Sequence, residues 1–289
     1  MKISKSIGFV GAGIMGTGMV NNLLLNDFKV NVLAHRNRDP IDILVSSGAR
    51  ELTCLKDIAR QSDTLILCLP NSKTVAAVLG KLFPYLKSNT LIIDCTTNNV
   101  EAVKKFHTDA VCRGLRYTEA PLTGGKLQAE TASLGAIVGC EPEQFIEIKM
   151  TLEPCCHTIE RFGDVGAGAT AKLISNFLAI GTATLVVEAM KAARDCAVDW
   201  EKFYKLASQG SGHSMSLDRI APKAINGDYD GYVFSIANTL KDVSYINEFF
   251  NADKDYGKLA QLFLNIYQSS YTDGKGDKSL SNRLDPAHP

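Results

Sequence analysis

The chain has 289 residues, room for about two domains of ~150 residues each and a substantial core. Lys plus Arg and Asp plus Glu both number 31, so the formal net charge is zero and the basic surplus that nucleic acid or an acidic membrane would demand is missing. At 45% hydrophobic and 21% charged residues, disordered, collagen-like and coiled-coil organisations are excluded.

The eight cysteines include no Cys-x-x-Cys pair, and the five histidines are scattered. No metal site is expected, and the thiols read as reduced and buried. The sequence enters a strand-like segment at once, so no signal peptide is expected. The apolar run Leu173–Val187 is shorter than a membrane span of about 20 residues. A soluble cytoplasmic protein with no membrane and no nucleic-acid partner is the expectation.

The first half alternates short apolar runs with helical patterns. Residues Ile7–Val10, Val30–Leu33, Thr64–Leu69, Leu91–Asp94 and Leu134–Val138 read as buried strands, being continuous rather than alternating runs. Helical patterns lie at Met15–Asn26, Ile41–Ser47, Leu55–Gln61, Val75–Leu79 and Val100–Cys112. This repetition predicts an α/β domain, a doubly wound parallel sheet of the Rossmann type over residues 1–163. After His157–Arg161 the character changes. Ala169–Cys196 reads as one long helix, apolar nearly all round, followed by helices at Trp200–Ser208, Ser214–Ala224, Ala237–Phe250 and Tyr256–Ser269. Residues 164–289 are therefore expected to form an all-helical domain, entered through the glycine-rich segment Gly163–Gly168, with the active site in the cleft between the domains.

The segment Gly11-Ala12-Gly13-Ile14-Met15-Gly16 directly follows the first strand and opens a helix. Gly11 permits a tight turn, Gly13 lets backbone approach a pyrophosphate, and Gly16 lets helix pack on strand, with the helix N-terminus facing the phosphates. After the second strand come His35, Arg36 and Arg38, and no acid appears before Asp39. An acid there would bind a ribose 2′-hydroxyl, whereas arginine suits a 2′-phosphate. Arg36, assisted by Arg38, is read as selecting NADP over NAD; a solvated basic turn is the plain alternative. The two glycines of Thr123-Gly124-Gly125 can expose successive N–H groups to an anion, although a simple turn would look the same. Lys172 and Asn176 stand four apart on the long apolar helix and share one face. A lysine on such a helix is costly unless it reaches solvent, a partner or a ligand. Snorkelling at the helix start is one reading, and an acid/base group with an amide orienter is the other.

Taken in order, these motifs resemble the β-hydroxyacid dehydrogenase family, which includes 3-hydroxyisobutyrate dehydrogenase and glyoxylate/succinic semialdehyde reductase. The resemblance covers nearly the whole chain. It adds Leu69-Pro70, Asp94-Cys-Thr-Thr97, Glu119–Gly125, the Gly-x-Gly-x-x-x-Lys-x-x-x-Asn pattern ending in Lys172 and Asn176, and Lys241-Asp242. It implies that Lys172 is the catalytic acid/base and that Asn176 orients the substrate. Thr123, Gly124 and Gly125 would hold a substrate carboxylate, with Phe234 and Asp242 shaping the pocket. The glycine loop with Ala12, Ile14 and Met15, together with His35, Arg36, Leu69, Pro70, Thr74, Thr97 and Lys241, would bind the cofactor. The departures are Thr for Ser at 96 and 123, Glu for Asp at 119, and Val100 for a usual proline. The family's Gly-Ala-x-x-Gly-Thr-Leu becomes Gln128-Ala129-Glu-Thr-Ala132-Ser133-Leu134. The resemblance implies an NADP-dependent oxidoreductase that interconverts a short 3-hydroxy acid and its semialdehyde or 2-oxo form. A homodimer or homotetramer is expected, with part of the long helix buried against another subunit. An imine reductase of the same architecture, or a non-catalytic NADP-binding scaffold, would not need Lys172.

Overall fold

The computed structural model describes residues 5–35 and 37–287. The chain forms two compact units, Met1–Lys172 and Leu173–Pro289. In the first, strands and helices alternate: β1 (Ser6–Val10), α1 (Ile14–Leu25), β2 (Lys29–Leu33), α2 (Asp39–Ser46), β3 (Arg50–Leu52), α3 (Leu55–Gln61), β4 (Thr64–Leu67), α4 (Ser72–Leu82), β5 (Leu91–Asp94), α5 (Val100–Val111) and β6 (Arg116–Glu119). Then follow β7 (Leu122–Thr123), α6 (Lys126–Glu130), β8 (Leu134–Gly139), α7 (Phe145–Leu152), β9 (Cys156–Gly163) and the start of α8 (Ala167–Asp195).

The strands lie in the order β3-β2-β1-β4-β5-β6-β8-β7, with β9 beside β8. From β3 to β6 every pairing is parallel, with β1 central and hydrogen-bonded to both β2 and β4. This is the expected doubly wound α/β domain, and both faces of β1 are covered. Ile7 and Phe9 pack with Met19, Val20 and Leu23 of α1. On the other face α3 comes so close that a Cβ at Gly8 would fall 2.5 Å from Ser62 Oγ and 2.9 Å from Ile58. The sheet departs from all-parallel at its far end. There β8 runs antiparallel to β6 and β7 and parallel to β9.

The second unit continues α8 and adds α9 (Trp200–Ala207), α10 (Met215–Ile225), α11 (Ile236–Phe249) and α12 (Asp255–Ser270). Among the described residues its only β feature is an isolated bridge between Ser235 and Ser279. One side of α8 supplies Ile180, Ala183, Val187 and Met190 to this unit's core, with Val243 of α11 and Tyr267 of α12. Thr184 Oγ1 lies 2.6 Å from the Tyr267 hydroxyl. The helix is not buried all round, however. Ile174, Leu178 and Leu185 are 50%, 71% and 68% exposed, and lie along another side. The thiols also divide: Cys95, Cys140, Cys155 and Cys156 are buried, but Cys54, Cys112 and Cys196 are exposed.

The first turn of α8 belongs to the first unit because a buried carboxyl ties it there. Glu119, at the end of β6, accepts hydrogen bonds at Oε1 from the N–H groups of Gly166 (2.6 Å), Gly168 (3.1 Å) and Ala169 (3.4 Å). Those are donors that a helix start cannot satisfy internally. A second buried carboxyl, Asp94, accepts from the Thr96 N–H at 3.0 Å, the Asn98 amide at 2.8 Å and the Tyr117 hydroxyl at 2.9 Å. Burial pushes Asp94 up to about 6 and Glu119 up to about 8, although their hydrogen bonds oppose the shift. The neighbouring Tyr117 and Cys140 are also pushed up by burial and stay neutral across this range. The folded chain thus keeps the Glu119 proton to about pH 8, whereas the unfolded chain releases it near 4.5. The folded state binds more protons between those values, so stability is full below them and declines as pH rises through the window. Urea unfolding midpoints should therefore fall from pH 5 to pH 8, and Glu119→Gln should flatten that slope.

Candidate active site

The parallel strands β1, β2, β4 and β5 end on one edge of the sheet, and the loops that follow them carry the expected cofactor residues. After β1, Gly11 has φ +110°, and a Cβ there would meet the Cys68 carbonyl oxygen at 2.1 Å. A Cβ at Gly16 would lie 2.1 Å from the Gly11 carbonyl oxygen. These two positions need glycine for conformation and close approach. Gly13 differs: a Cβ there would touch nothing within 4 Å, and Gly13 is the N-cap of α1 without any capping side chain. The loop therefore leaves open space in front of a helix N-terminus, which fits a dinucleotide pyrophosphate. Beside it Ile14 is 73% exposed, and Ala12 and Met15 are half-buried.

His35 follows β2 and is exposed; Arg36 lies outside the described residues. The assisting role expected of Arg38 is not supported. Its Nη1 and Nη2 donate to Glu51 at 2.9 and 2.8 Å, and its Nε lies 3.0 Å from Asp42. After β4, Leu69 donates its N–H to Thr96 Oγ1 at 3.0 Å, which ties the β4 and β5 loops together. Pro70 is exposed and Thr97 half-buried beside this link. Thr74 serves the helix itself, since its N–H and hydroxyl both donate to Asn71 Oδ1 at 2.9 Å and cap α4.

Thr123 pairs with Gly135 on β8, where a Cβ would fall 2.4 Å from the Thr123 hydroxyl oxygen. Gly124 has φ +114°, a conformation that favours glycine. The Gly125 N–H, expected to face an anion, instead donates to Gln128 Oε1 at 2.9 Å. Gln128 stands where the resembled motif has glycine. The second missing glycine of that motif also leaves a trace: Ala132 adopts φ +55°, a region that favours glycine.

Lys172 is buried on α8, and Asn176 follows one turn later on the same face. The Asn176 amide donates to Asp242 Oδ2 at 2.7 Å, and Asp242 Oδ1 lies 3.0 Å from Lys241 Nζ. The Lys241-Asp242 pair and Asn176, taken as separate motifs in the sequence, thus form one cluster. The buried Asp242 carboxylate fixes the Asn176 amide and pairs with Lys241, whose ammonium also lies 5.9 Å from the centre of the Tyr245 ring. Phe234 precedes α11, is half-buried on the helical core, and accepts the Leu280 N–H at 2.9 Å through its carbonyl. Sequence reasoning missed Asn71, Asn98 and Gln128 as organisers of the loops. An Asn preceding a hydroxyl-bearing first turn was the available signal for Asn71.

Two domain families match this chain. The NAD binding domain of 6-phosphogluconate dehydrogenase matches residues 6–163, and the NAD-binding domain of NADP-dependent 3-hydroxyisobutyrate dehydrogenase matches residues 166–285. The mitochondrial 3-hydroxyisobutyrate dehydrogenase of Drosophila melanogaster is 30% identical over 96% of this chain and 88% of its own length. An NAD-dependent L-serine dehydrogenase of Pseudomonas aeruginosa is 27% identical over 96% of each chain. Among solved structures, a 3-hydroxyisobutyrate dehydrogenase of Mycobacterium tuberculosis with L-serine superposes with a TM-score of 0.87 at 21% identity, over 99% of this chain and 100% of that one. With both halves matched and the glycine loop open at Gly13, the chain belongs to the β-hydroxyacid dehydrogenase family of nicotinamide-dependent oxidoreductases.

Proposed function

We propose that this protein is an NADP-dependent oxidoreductase that interconverts a short 3-hydroxy acid and the semialdehyde formed when its C3 carbinol loses a hydride. The observation that carries the reading is buried Lys172 one helical turn from Asn176, whose amide Asp242 holds at 2.7 Å. A bound nicotinamide supplies or accepts the hydride. The chain's own residues handle the proton and the orientation. As a carbonyl carbon is reduced, negative charge grows on its oxygen. The Lys172 ammonium donates a proton to that oxygen, and in oxidation the Lys172 amine takes it back. The tether to Asp242 limits the rotamers of Asn176, so the amide can orient a substrate without first being ordered. Lys241, paired with the same carboxylate, is assigned a cofactor role, as are the glycine loop, Leu69, Pro70 and Thr97 within the first unit.

Substrate recognition is assigned to Thr123 and the turn at Gly124 in the first unit and, separately, to Phe234 and Asp242 in the second. Gly125 contributes only if a ligand displaces Gln128 from its N–H. NADP preference is supported by the sequence His35-Arg36 after β2, where no acid is present to bind a ribose hydroxyl. The exposed Ile174, Leu178 and Leu185 support burial of α8 against a second copy, as a homodimer or homotetramer; a cytoplasmic location is part of the same proposal.

Lys172→Ala should lower kcat by about 10²–10⁴-fold, the usual contribution of general acid/base groups. A fluorescence titration should show its NADPH affinity near wild type, and Lys172→Arg should not restore the rate because guanidinium holds its proton too tightly. Retention of most of the wild-type kcat would remove Lys172 from the mechanism.

Arg36→Ala should raise KM for NADPH by roughly 10- to 100-fold, equivalent to one charge-assisted hydrogen bond, and leave KM for NADH little changed. Equal use of NADH by the wild type would refute the phosphate assignment.

In a panel of glyoxylate, succinic semialdehyde, tartronate semialdehyde and methylmalonate semialdehyde, turnover should require the carboxylate. Equal rates on an uncharged aldehyde of matching length would refute anion recognition at Thr123-Gly124.

A further inference from the structure

We infer that Glu119 is the positioning residue for Lys172: its carboxyl fixes the first turn of α8 and so sets where the lysine stands. This rests on the acid/base role proposed for Lys172.

The contact is specific in its construction. Glu119 is fully buried, and its Oε1 gathers the N–H groups of Gly166, Gly168 and Ala169. Lys172 lies three residues beyond Ala169 and four beyond Gly168, so those donors and the lysine share one side of the helix. Two glycines provide the space. A Cβ at Gly139 would fall 2.0 Å from Oε1, and a Cβ at Gly168 would fall 2.6 Å from the Ile137 carbonyl oxygen. The helix start thus lies against the backbone of β8 with the carboxyl wedged between. Glu119 Oε2 is buried and makes no hydrogen bond. Burial that holds the carboxyl neutral up to about pH 8 agrees with a proton kept on that oxygen. No ligand can reach such a group, so its work is to place the helix rather than to touch substrate.

Side-chain length is decisive in this geometry. Aspartate would withdraw the carboxyl by one methylene from donors that already span 2.6 to 3.4 Å. Glutamine keeps the length and presents an amide oxygen to the same three N–H groups.

The test compares wild type, Glu119→Gln, Glu119→Asp, Glu119→Ala, Lys172→Ala and the Glu119→Ala/Lys172→Ala double variant. It measures kcat and KM with NADPH and a carboxylate-bearing aldehyde, alongside an NADPH titration. Glu119→Ala should lower kcat by about 10- to 100-fold, as expected for a misplacement of the order of 1 Å, with KM and NADPH affinity nearly unchanged. Glu119→Asp should show a smaller loss of the same kind, and Glu119→Gln should restore near wild-type kcat. In the Lys172→Ala background, Glu119→Ala should cost almost nothing further, because the two residues act as one unit. Wild-type kcat in the Ala or Asp variant would overturn the inference. So would an equal loss in the presence and absence of Lys172. If Glu119→Ala does not fold, the Asp and Gln variants decide: aspartate as active as wild type, or glutamine as impaired as aspartate, overturns it. If Lys172→Ala itself keeps wild-type kcat, the acid/base reading is what fails.

Discussion

The start of α8 is the constraint on which the candidate site depends. A helix that begins inside a protein brings backbone donors with no partner, and each one left unpaired costs about 1–3 kcal/mol. Here one carboxyl serves three of them, and glycines at 139 and 168 leave room for sheet, carboxyl and helix start to meet. Everything further along α8 inherits that starting point. Lys172 follows within about a turn, and Asn176 follows a turn after that, where Asp242 of α11 holds its amide. The acid/base candidate and the orienting amide are therefore set by backbone geometry first and by side-chain choice second.

The cofactor edge obeys a different logic. Gly11 and Gly16 are required by contacts already present within the protein, whereas Gly13 is required by nothing nearby. A glycine that serves no internal contact at a helix N-terminus leaves room for a ligand, which is how this loop differs from an ordinary turn. Around the substrate motif, substitutions are absorbed locally. Gln128 caps the Gly125 N–H, and Ala132 takes a backbone conformation that alanine disfavours. The loop accommodates both departures through one side-chain hydrogen bond and one disfavoured backbone conformation.

Much of this was legible in the sequence. The strands β1, β2, β4, β5 and β8 are continuous apolar runs, and the helices of the second unit carry clear periodicity, so elements and order follow from local pattern. The edges were harder. β3 is the three residues Arg-Glu-Leu, β7 is two residues long, and β9 carries the polar run His157-Thr-Ile-Glu-Arg161. Their pairing comes from a neighbouring strand rather than from any periodicity of their own. α4 begins at Ser72 rather than Val75 because Asn71 caps it, a signal weaker than the apolar pattern that follows. Lys172, Asn176, Lys241 and Asp242 were each visible, but not the Asp242 carboxylate as the group joining Asn176 to Lys241. Arg38 shows the converse: it reads in the sequence as an assistant to Arg36 in phosphate recognition, and is committed to Glu51 and Asp42. Long-range partnerships leave no mark on local composition.

Hydride transfer to the carbonyl carbon of a carboxylate-bearing aldehyde is the reaction we propose for this site. Its most direct measurement is the fate of deuterium from NADPH labelled stereospecifically at C4. The enzyme, incubated with each labelled epimer and a short semialdehyde, should place one deuterium on the carbinol carbon of the hydroxy-acid product from one epimer alone, seen by NMR and mass spectrometry. A product that carries no label from either epimer, or no product from any carboxylate-bearing aldehyde despite bound cofactor, would contradict it.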